Sequence, residues 1–255
     1  MLENLSELPL WKDMGVTTLD EMDSVKLLNR IDTKYVMTDE KLSEFLVKLS
    51  REGYKVLMTE GRRTAPYDTL YYDTQELKMY NDHQRGKLTR QKVRTRTYLN
   101  SGTTFLEIKR KNNHGRTKKK RIEIPREYFG SPGSIAAASD FLKAKSDYEA
   151  SQLLPCLETK FTRITLVNPE MTERLTIDSG LTFSNIRTGN SAGLGRAVIV
   201  ELKRDGLAPS RVKDVLLELR IKPLRISKYC IGTALTDPEV KSFKFKDKIN
   251  YLRKI

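Results

Sequence analysis

Cysteine is nearly missing from this sequence: Cys156 and Cys230 are the two among 255 residues. That excludes a disulfide framework and a clustered thiolate metal site, and it fits a reducing compartment. Both read as small buried residues. Histidine is equally scarce. His83 and His114 stand far apart, so they do not build a metal centre of their own. No stretch approaches the ~18 consecutive apolar residues of a membrane-spanning helix. The first residues, MLENLSELPLWKDMG, lack the basic region and apolar run of a signal peptide. No Gly/Pro/Ser-rich linker separates two cores, and no segment repeats at a fixed period.

Carboxylates are also in deficit. Lys and Arg number 47 against 33 Asp and Glu, a net charge of +14. The excess points to an anionic partner: nucleic acid, a membrane surface or a polyphosphorylated substrate. At 38% hydrophobic residues the chain holds enough apolar material for a real core. A chain of this length buries about 70–75% of its extended surface when folded as one unit. The expectation is one α+β domain spanning residues 1–255, its core over about 27–229, with helical or extended flanks.

Local patterns divide the chain. Residues 38–52 predict a capped amphipathic helix, with Thr38 or Asp39 as cap, Leu42, Phe45, Leu46 and Leu49 as the stripe, and Gly53 as the stop. Strands are expected over 69–74, 92–99, 104–111, 118–125, 157–167, 174–185 (bent or broken at Gly180) and 197–204. Helical character returns over 131–150 and 212–220, and the tail after Cys230 reads as basic and polar. A helix does not follow every strand, so an antiparallel barrel or strongly curled sheet is expected rather than a parallel stack.

The placement of charge inside the strands carries the functional reading. Alternation puts Lys92, Arg94 and Arg96 on one side of their strand, and Glu107, Lys109 and Lys111 on one side of the next. The partner strand offers Lys119 and Arg121, or Lys118 and Lys120 on its other face. Lys160 lies opposite Phe161 and Arg163, and Glu201 and Lys203 alternate in the most apolar strand. Arg30, Asp32 and Lys34 alternate in NRIDTKY. One reading is a sheet with an ordinary wet, charged face. The other is a cationic lining, whose mutual repulsion only a polyanion relieves. Glu201, with Glu107 as a second candidate, would then hold a divalent metal between carboxylate and phosphate. Asp178 reads equally well as a turn aspartate before Ser-Gly. The basic hairpin 106–124 is expected near the rim of such a site.

The ordered set NRIDTKY, LYYDT, MY, KVRTRTY, FLEIKRK, KKKR, ETKFTR, RLTIDSGL, VIVELK and ISKY resembles the polyphosphate polymerase (VTC) domain family, within the triphosphate tunnel metalloenzyme (CYTH-like) superfamily. The resemblance runs from about Leu27 to Tyr229. It implies a closed antiparallel eight-stranded β-barrel, the triphosphate tunnel, with flanking helices. It implies transfer of the γ-phosphoryl group of ATP to a growing inorganic polyphosphate chain, with release of ADP and dependence on Mn²⁺ or Mg²⁺. Lys34, Arg94, Arg96, Lys109, Arg163 and Lys228 would then carry catalysis, and Glu201 the metal, with Glu107 beside Lys109. Arg30, Lys92, Lys111, Lys118, Arg121, Lys160, Lys203 and Ser227 would add anion contacts. His83, standing where fungal members carry an arginine, would contact phosphate when protonated, with Arg85 near enough to substitute, and Phe161 replaces a usual tyrosine. The fungal assemblies add a sensor domain and membrane helices, which this sequence lacks. A cytoplasmic module, peripheral to a membrane through a partner protein, is the matching expectation. The alternatives are a triphosphatase or nucleotide phosphohydrolase of the same fold, and a non-catalytic polyphosphate-binding protein. A nucleic-acid binder fits the charge but finds no zinc-finger spacing or aromatic RNA-recognition signature.

Overall fold

The structure, a computed structural model, describes residues 9–23, 30–206 and 209–255. The expected start of the core near Leu27 lies outside them. In chain order the elements are β1 (Val16–Thr17), α1 (Leu19–Asp23), β2 (Arg30–Thr38), α2 (Asp39–Arg51), β3 (Lys55–Leu57), β4 (Ala65–Asp73), α3 (Lys78–Gln84), β5 (Arg90–Tyr98), β6 (Thr104–Lys111), β7 (Thr117–Ile124), α4 (Ala136–Lys145), β8 (Leu154–Val167), β9 (Glu173–Asn185), β10 (Ser191–Gly193), β11 (Ala197–Asp205), α5 (Arg211–Glu218), α6 (Lys228–Thr236) and α7 (Lys246–Lys254).

The helix α2 forms where its stripe predicts. Thr38 Oγ1 accepts from the Lys41 amide at 3.3 Å, satisfying one orphan donor of the first turn. Leu42, Phe45, Leu46 and Leu49 are fully buried, each contributing about 1.5–3 kcal/mol of gross apolar transfer. Gly53, at φ +75°, ends the run. This stripe joins Val212, Val215 and Leu216 of α5 in covering Tyr35 and Met37 of β2, Val198, Val200 and Leu202 of β11, and Leu175 and Ile177 of β9. Leu142 and Ala138 of α4 cover the same face farther along, over Leu70, Val93, Leu106, Ile108 and Ile124.

The strands form one sheet of eleven among the described residues, with the path β2-β11-β9-β8-β4-β5-β6-β7. Every pairing along that path is antiparallel. The short β10 pairs with β9, β3 with β8, and β1 runs parallel to β3. The expected closed eight-stranded barrel, like a strongly curled sheet, is therefore corrected: the path is open, ending at β2 and β7, which do not pair with each other. The physical reason lies at both ends. The free side of β2 is occupied by the segment before α6, where the Leu224 amide donates to the Lys34 carbonyl at 2.7 Å and Tyr35 bridges Pro223. At the other end, β7 exposes Lys118, Lys119, Lys120 and Arg121 in succession, which discourages edge pairing.

Two further details position the site. Strand β9 is continuous, bent by a bulge rather than broken: its register against β8 shifts between Lys160 and Thr162, opposite Gly180 at φ +60°. The tail after Cys230 forms α6 and α7. Tyr229, Cys230, Ile231, Gly232 and Thr233 are all buried, so α6 carries no amphipathic period to read. Together with Phe245, Ile249 and Leu252 it packs on Leu157, Phe183, Ala197 and Ile199, on the face opposite to α2 and α4.

Candidate active site

Cross-strand register decides which charged side chains share a face, because directly opposed residues point the same way. Lys34 of β2 opposes Glu201 of β11, which opposes Thr176 of β9. Asp178 of β9 opposes Arg163 of β8, and Phe161 of β8 opposes Tyr67 of β4. Thr69 and Tyr71 of β4 oppose Arg96 and Arg94 of β5. Arg94 and Lys92 oppose Glu107 and Lys109 of β6, which oppose Arg121 and Lys119 of β7. One face thus collects basic side chains from β2, β11, β8, β5, β6 and β7. To these α6 adds Lys228.

The carboxylates on this face are engaged. Glu107 is fully buried. It accepts from Arg94 Nε at 2.7 Å and Nη2 at 2.5 Å, and from Lys119. Arg94 Nη1 also donates to the Tyr71 hydroxyl at 3.2 Å. Asp178, 2% exposed, takes a bidentate pair from Arg163 at 2.6 and 2.8 Å and a further bond from Lys228. Glu201 pairs with Lys203 at 3.1 Å. The segment entering α6 completes the arrangement. Ser227 caps the helix by accepting from the Cys230 amide and also accepts from Lys92 Nζ at 2.6 Å, while Lys34 Nζ donates to the Ile226 carbonyl at 3.3 Å.

Titration reflects this crowding. Burial pushes Glu107 and Asp178 upward, but Arg94 and Arg96 at the first and Arg163 and Lys228 at the second outweigh it, and both stay ionised far below the usual carboxylate range. Glu201 is also held well down, with burial opposed by Lys203, Lys34, Lys109 and Arg163. Arg94 and Arg163, next to Glu107 and Asp178, are held charged, while Lys109, Lys203 and Arg96 are pushed down. The charge of Arg94 and burial drive Lys109 well below the usual lysine value. Burial brings Lys203 to about 8, against the pull of Glu201, and burial with the neighbouring Arg94 brings Arg96 to about 10.

An aromatic platform carries several of these cations. Tyr67 and Phe161 stack at 5.2 Å with planes 3° apart, and Tyr98 leans on Tyr67 at 4.8 Å. Arg96 lies 5.2 Å from the Tyr67 centroid, Arg163 5.0 Å, and Lys228 4.6 Å from that of Phe161. Phe161 therefore serves as a cation-bearing surface in place of the missing hydroxyl.

The structure gathers Lys34, Lys92, Arg94, Arg96, Lys109, Arg163, Lys203, Ser227, Lys228, Glu107 and Glu201. Lys111 lies at the end of the same face, half-buried, and Arg121 at its exposed edge, stacked 4.3 Å from Phe105. Lys118 and Lys160 are on the opposite face, the latter paired with Glu158 at 3.2 Å. His83 contacts Cys230 Sγ at 3.1 Å through Nδ1, and burial with Lys92 and Arg90 nearby lowers it to about 2, so it is neutral. Arg30 pairs through its backbone with Asp205, and its side chain lies outside the described residues. Asp178 proves to be a mid-strand ion-pair partner rather than a turn residue. Tyr67 and Tyr71 join the face without being singled out by the sequence reading. Extending the alternation of β4 back from Thr69 would have placed Tyr67 beside Phe161, but no single strand shows which acid meets which base.

The donor set limits how a metal could bind. Among the described residues no group of three or more His, Cys, Asp or Glu side chains is assembled for a metal. Glu201 offers one carboxylate amid cations. That fits a hard divalent ion shared with phosphate oxygens, the usual habit of Mg²⁺, and does not fit an ion held by protein alone.

The VTC domain profile matches residues 29–236. The chain belongs to the VTC domain family. No curated protein matches it. Among solved structures, this VTC chain is similar to an adenylyl cyclase candidate from Hippeastrum that has a dominant triphosphatase activity. The TM-score is 0.53 at 14% identity, over 81% of this chain and 96% of that one. An adenylate cyclase candidate from Bacillus halodurans gives a TM-score of 0.50 at 13% identity, over 78% and 96%. Identities this low establish a common fold and leave the reaction to be argued from the VTC site itself. No helix among the described residues is long and apolar enough to cross a membrane.

Proposed function

We propose that this chain transfers the γ-phosphoryl group of ATP to the end of an inorganic polyphosphate chain. The terminal oxyanion of the acceptor attacks the γ-phosphorus, the bond from that phosphorus to the β–γ bridging oxygen breaks, and ADP leaves with the electron pair. No side-chain nucleophile is needed, because such transfer depends on positioning and charge neutralisation. The observation that carries this reading is the excess of half-buried and buried cations on one sheet face. Arg94, Arg163 and Lys228 have carboxylate partners, while Arg96 rests on Thr69 at 2.9 Å and on aromatic rings, and Lys109 is crowded by other cations. Arginine forks suit non-bridging phosphate oxygens, and the lysines act as adaptable point charges. Lys34, Arg94, Arg96, Lys109, Arg163 and Lys228 are assigned to the transferring phosphates, with Lys92, Lys203 and Ser227 along the chain. Glu201 would hold Mg²⁺ or Mn²⁺ jointly with phosphate oxygens, the ion supplying further neutralisation.

A second reading is hydrolysis of a triphosphate, with water as the attacking group. The fold shared with the Hippeastrum protein and its triphosphatase activity favours it. Incubation with ATP and Mn²⁺, followed by separation of polyphosphate from free phosphate, decides between them. Polyphosphate with stoichiometric ADP supports transfer. Free phosphate alone supports hydrolysis, and no turnover removes both. Glu201→Gln should keep the fold by circular dichroism and lose metal-dependent turnover. Full turnover in that variant would remove the assignment of Glu201.

A further inference from the structure

Away from the anion-binding side chains, the molecule exposes two large apolar groups on segments that touch. Phe243 is 81% exposed and Leu88 58%. Lys244 Nζ donates to the Arg85 carbonyl at 2.9 Å, tying the turn before α7 to the loop after α3. Beneath them Phe245 is buried against Tyr80 at 5.9 Å, so the turn is anchored while Phe243 points outward. The same two segments carry the exposed basic residues Arg85, Lys241, Lys244 and Lys246, against one exposed carboxylate between residues 241 and 247, Asp247. An isolated exposed leucine is ordinary, whereas an exposed aromatic and an exposed leucine on two tied segments that also carry four exposed basic residues are not.

We propose that this corner docks directly on an anionic lipid surface, with Phe243 and Leu88 entering the interfacial region and the neighbouring basic residues meeting the headgroups. Charge complementarity selects an anionic partner, and the apolar pair selects lipid over a soluble polyanion, which has no use for phenylalanine or leucine. Basic side chains with apolar stems can lie along such a boundary with their charges in the headgroup layer. The docking is independent of the proposed reaction: it requires no turnover, and it would survive if the chain proved to be a hydrolase or a binder.

Sedimentation with vesicles tests it. The full chain should pellet with vesicles of equimolar phosphatidylcholine and phosphatidylserine and stay in solution with phosphatidylcholine alone. Phe243→Ser and Leu88→Ser should each lower partitioning about tenfold, and Lys241→Ala and Lys246→Ala about fivefold each. Binding of soluble tripolyphosphate and any ATP turnover should be unchanged in Phe243→Ser. Absence of pelleting with the anionic vesicles overturns the proposal. So does pelleting that Phe243→Ser and Leu88→Ser leave intact, which would make the corner a general polyanion patch. Concentration-dependent self-association lost in Phe243→Ser, without vesicle binding, would assign the corner to a second copy of the chain instead.

Discussion

Asp178→Asn isolates the physics of the site. Among the described residues, Asp178 is the carboxylate that bonds both Arg163 and Lys228, and 3% of its side chain is exposed. The amide keeps the shape but removes the charge and one of the two acceptor oxygens that Arg163 and Lys228 use, leaving two buried cations facing one another. Breaking a buried ion pair in this way costs roughly 3–5 kcal/mol. For a chain of this size that corresponds to about 6–20 °C in melting temperature. A multivalent anion should restore what the carboxylate supplied. Tripolyphosphate at a hundred times its Kd stabilises a protein by about 2.7 kcal/mol, and at equal concentration the variant should gain more than the wild type, because its cations are less neutralised. Differential scanning fluorimetry with and without tripolyphosphate measures both quantities. A variant as stable as the wild type, or one with a smaller anion-induced rise, would refute the reasoning.

The pH dependence gives an independent check with a defined sign. The folded pKa of Asp178 is depressed by Arg163 and Lys228 against the push of burial. Its stabilisation is therefore present above the unfolded value of about 3.9 and is lost as pH falls through the folded value. The wild type should lose stability on acidification below about pH 4, and the variant should show a shallower acid limb. If Asp178→Asn does not fold, the pair Arg163→Met with Asp178→Leu keeps the test open. Replacing both partners should cost less than breaking the pair, although Lys228 remains.

Further outcomes follow from the same face. Lys203, brought by burial to about 8, should lose its charge above that pH, so Kd for tripolyphosphate by titration calorimetry should rise there, and Lys203→Arg should flatten the rise. An unchanged profile in that variant would place the titrating group elsewhere. Arg96→Ala should raise KM for ATP about 10–150-fold, the equivalent of one charge-assisted hydrogen bond at about 1.5–3 kcal/mol, while an unaltered KM would remove it from the donor site. Gly232→Ala should destabilise by about 1–3 kcal/mol in thermal unfolding. An added Cβ would sit 2.5 Å from Phe183 Cδ1 and 2.6 Å from Leu157 Cδ2, forcing α6 and its Ser227-Lys228 entry outward. A neutral melt would mean that α6 has room to shift.

Much of this could be read before folding. Elements with a regular apolar or charged period announced themselves: the stripe of α2 comes from one apolar side, and β5 and β6 alternate charged with apolar or small residues although both of their faces are buried. What escaped lacked such a pattern. Helix α6 is buried almost all round, so its sequence, KYCIGTALT, shows no period. Strand β4 begins at Ala65, four residues ahead of its expected start, because Pro66 and Asp68 interrupt the alternation that includes Tyr67. Openness of the sheet was hidden as well. Alternation tells which face a side chain takes, but it is silent on whether the last strand finds the first. Here the backbone around Pro223 and Leu224 takes the free side of β2.

The pairing of acids with bases explains why a cation-rich face can fold at all. Glu107 and Asp178 are each bound by two cations, so each acid removes the repulsion of a local pair while leaving the surplus positive. Aromatic rings take a further share, with Arg96, Arg163 and Lys228 held around Tyr67 and Phe161. Side chains fixed this way need little rearrangement to meet an anion, which is what electrostatic preorganisation demands. The residual field is then available to the ligand rather than spent within the fold. On this account the two carboxylates set the balance between stability and anion affinity, and removing either should move those two properties in opposite directions.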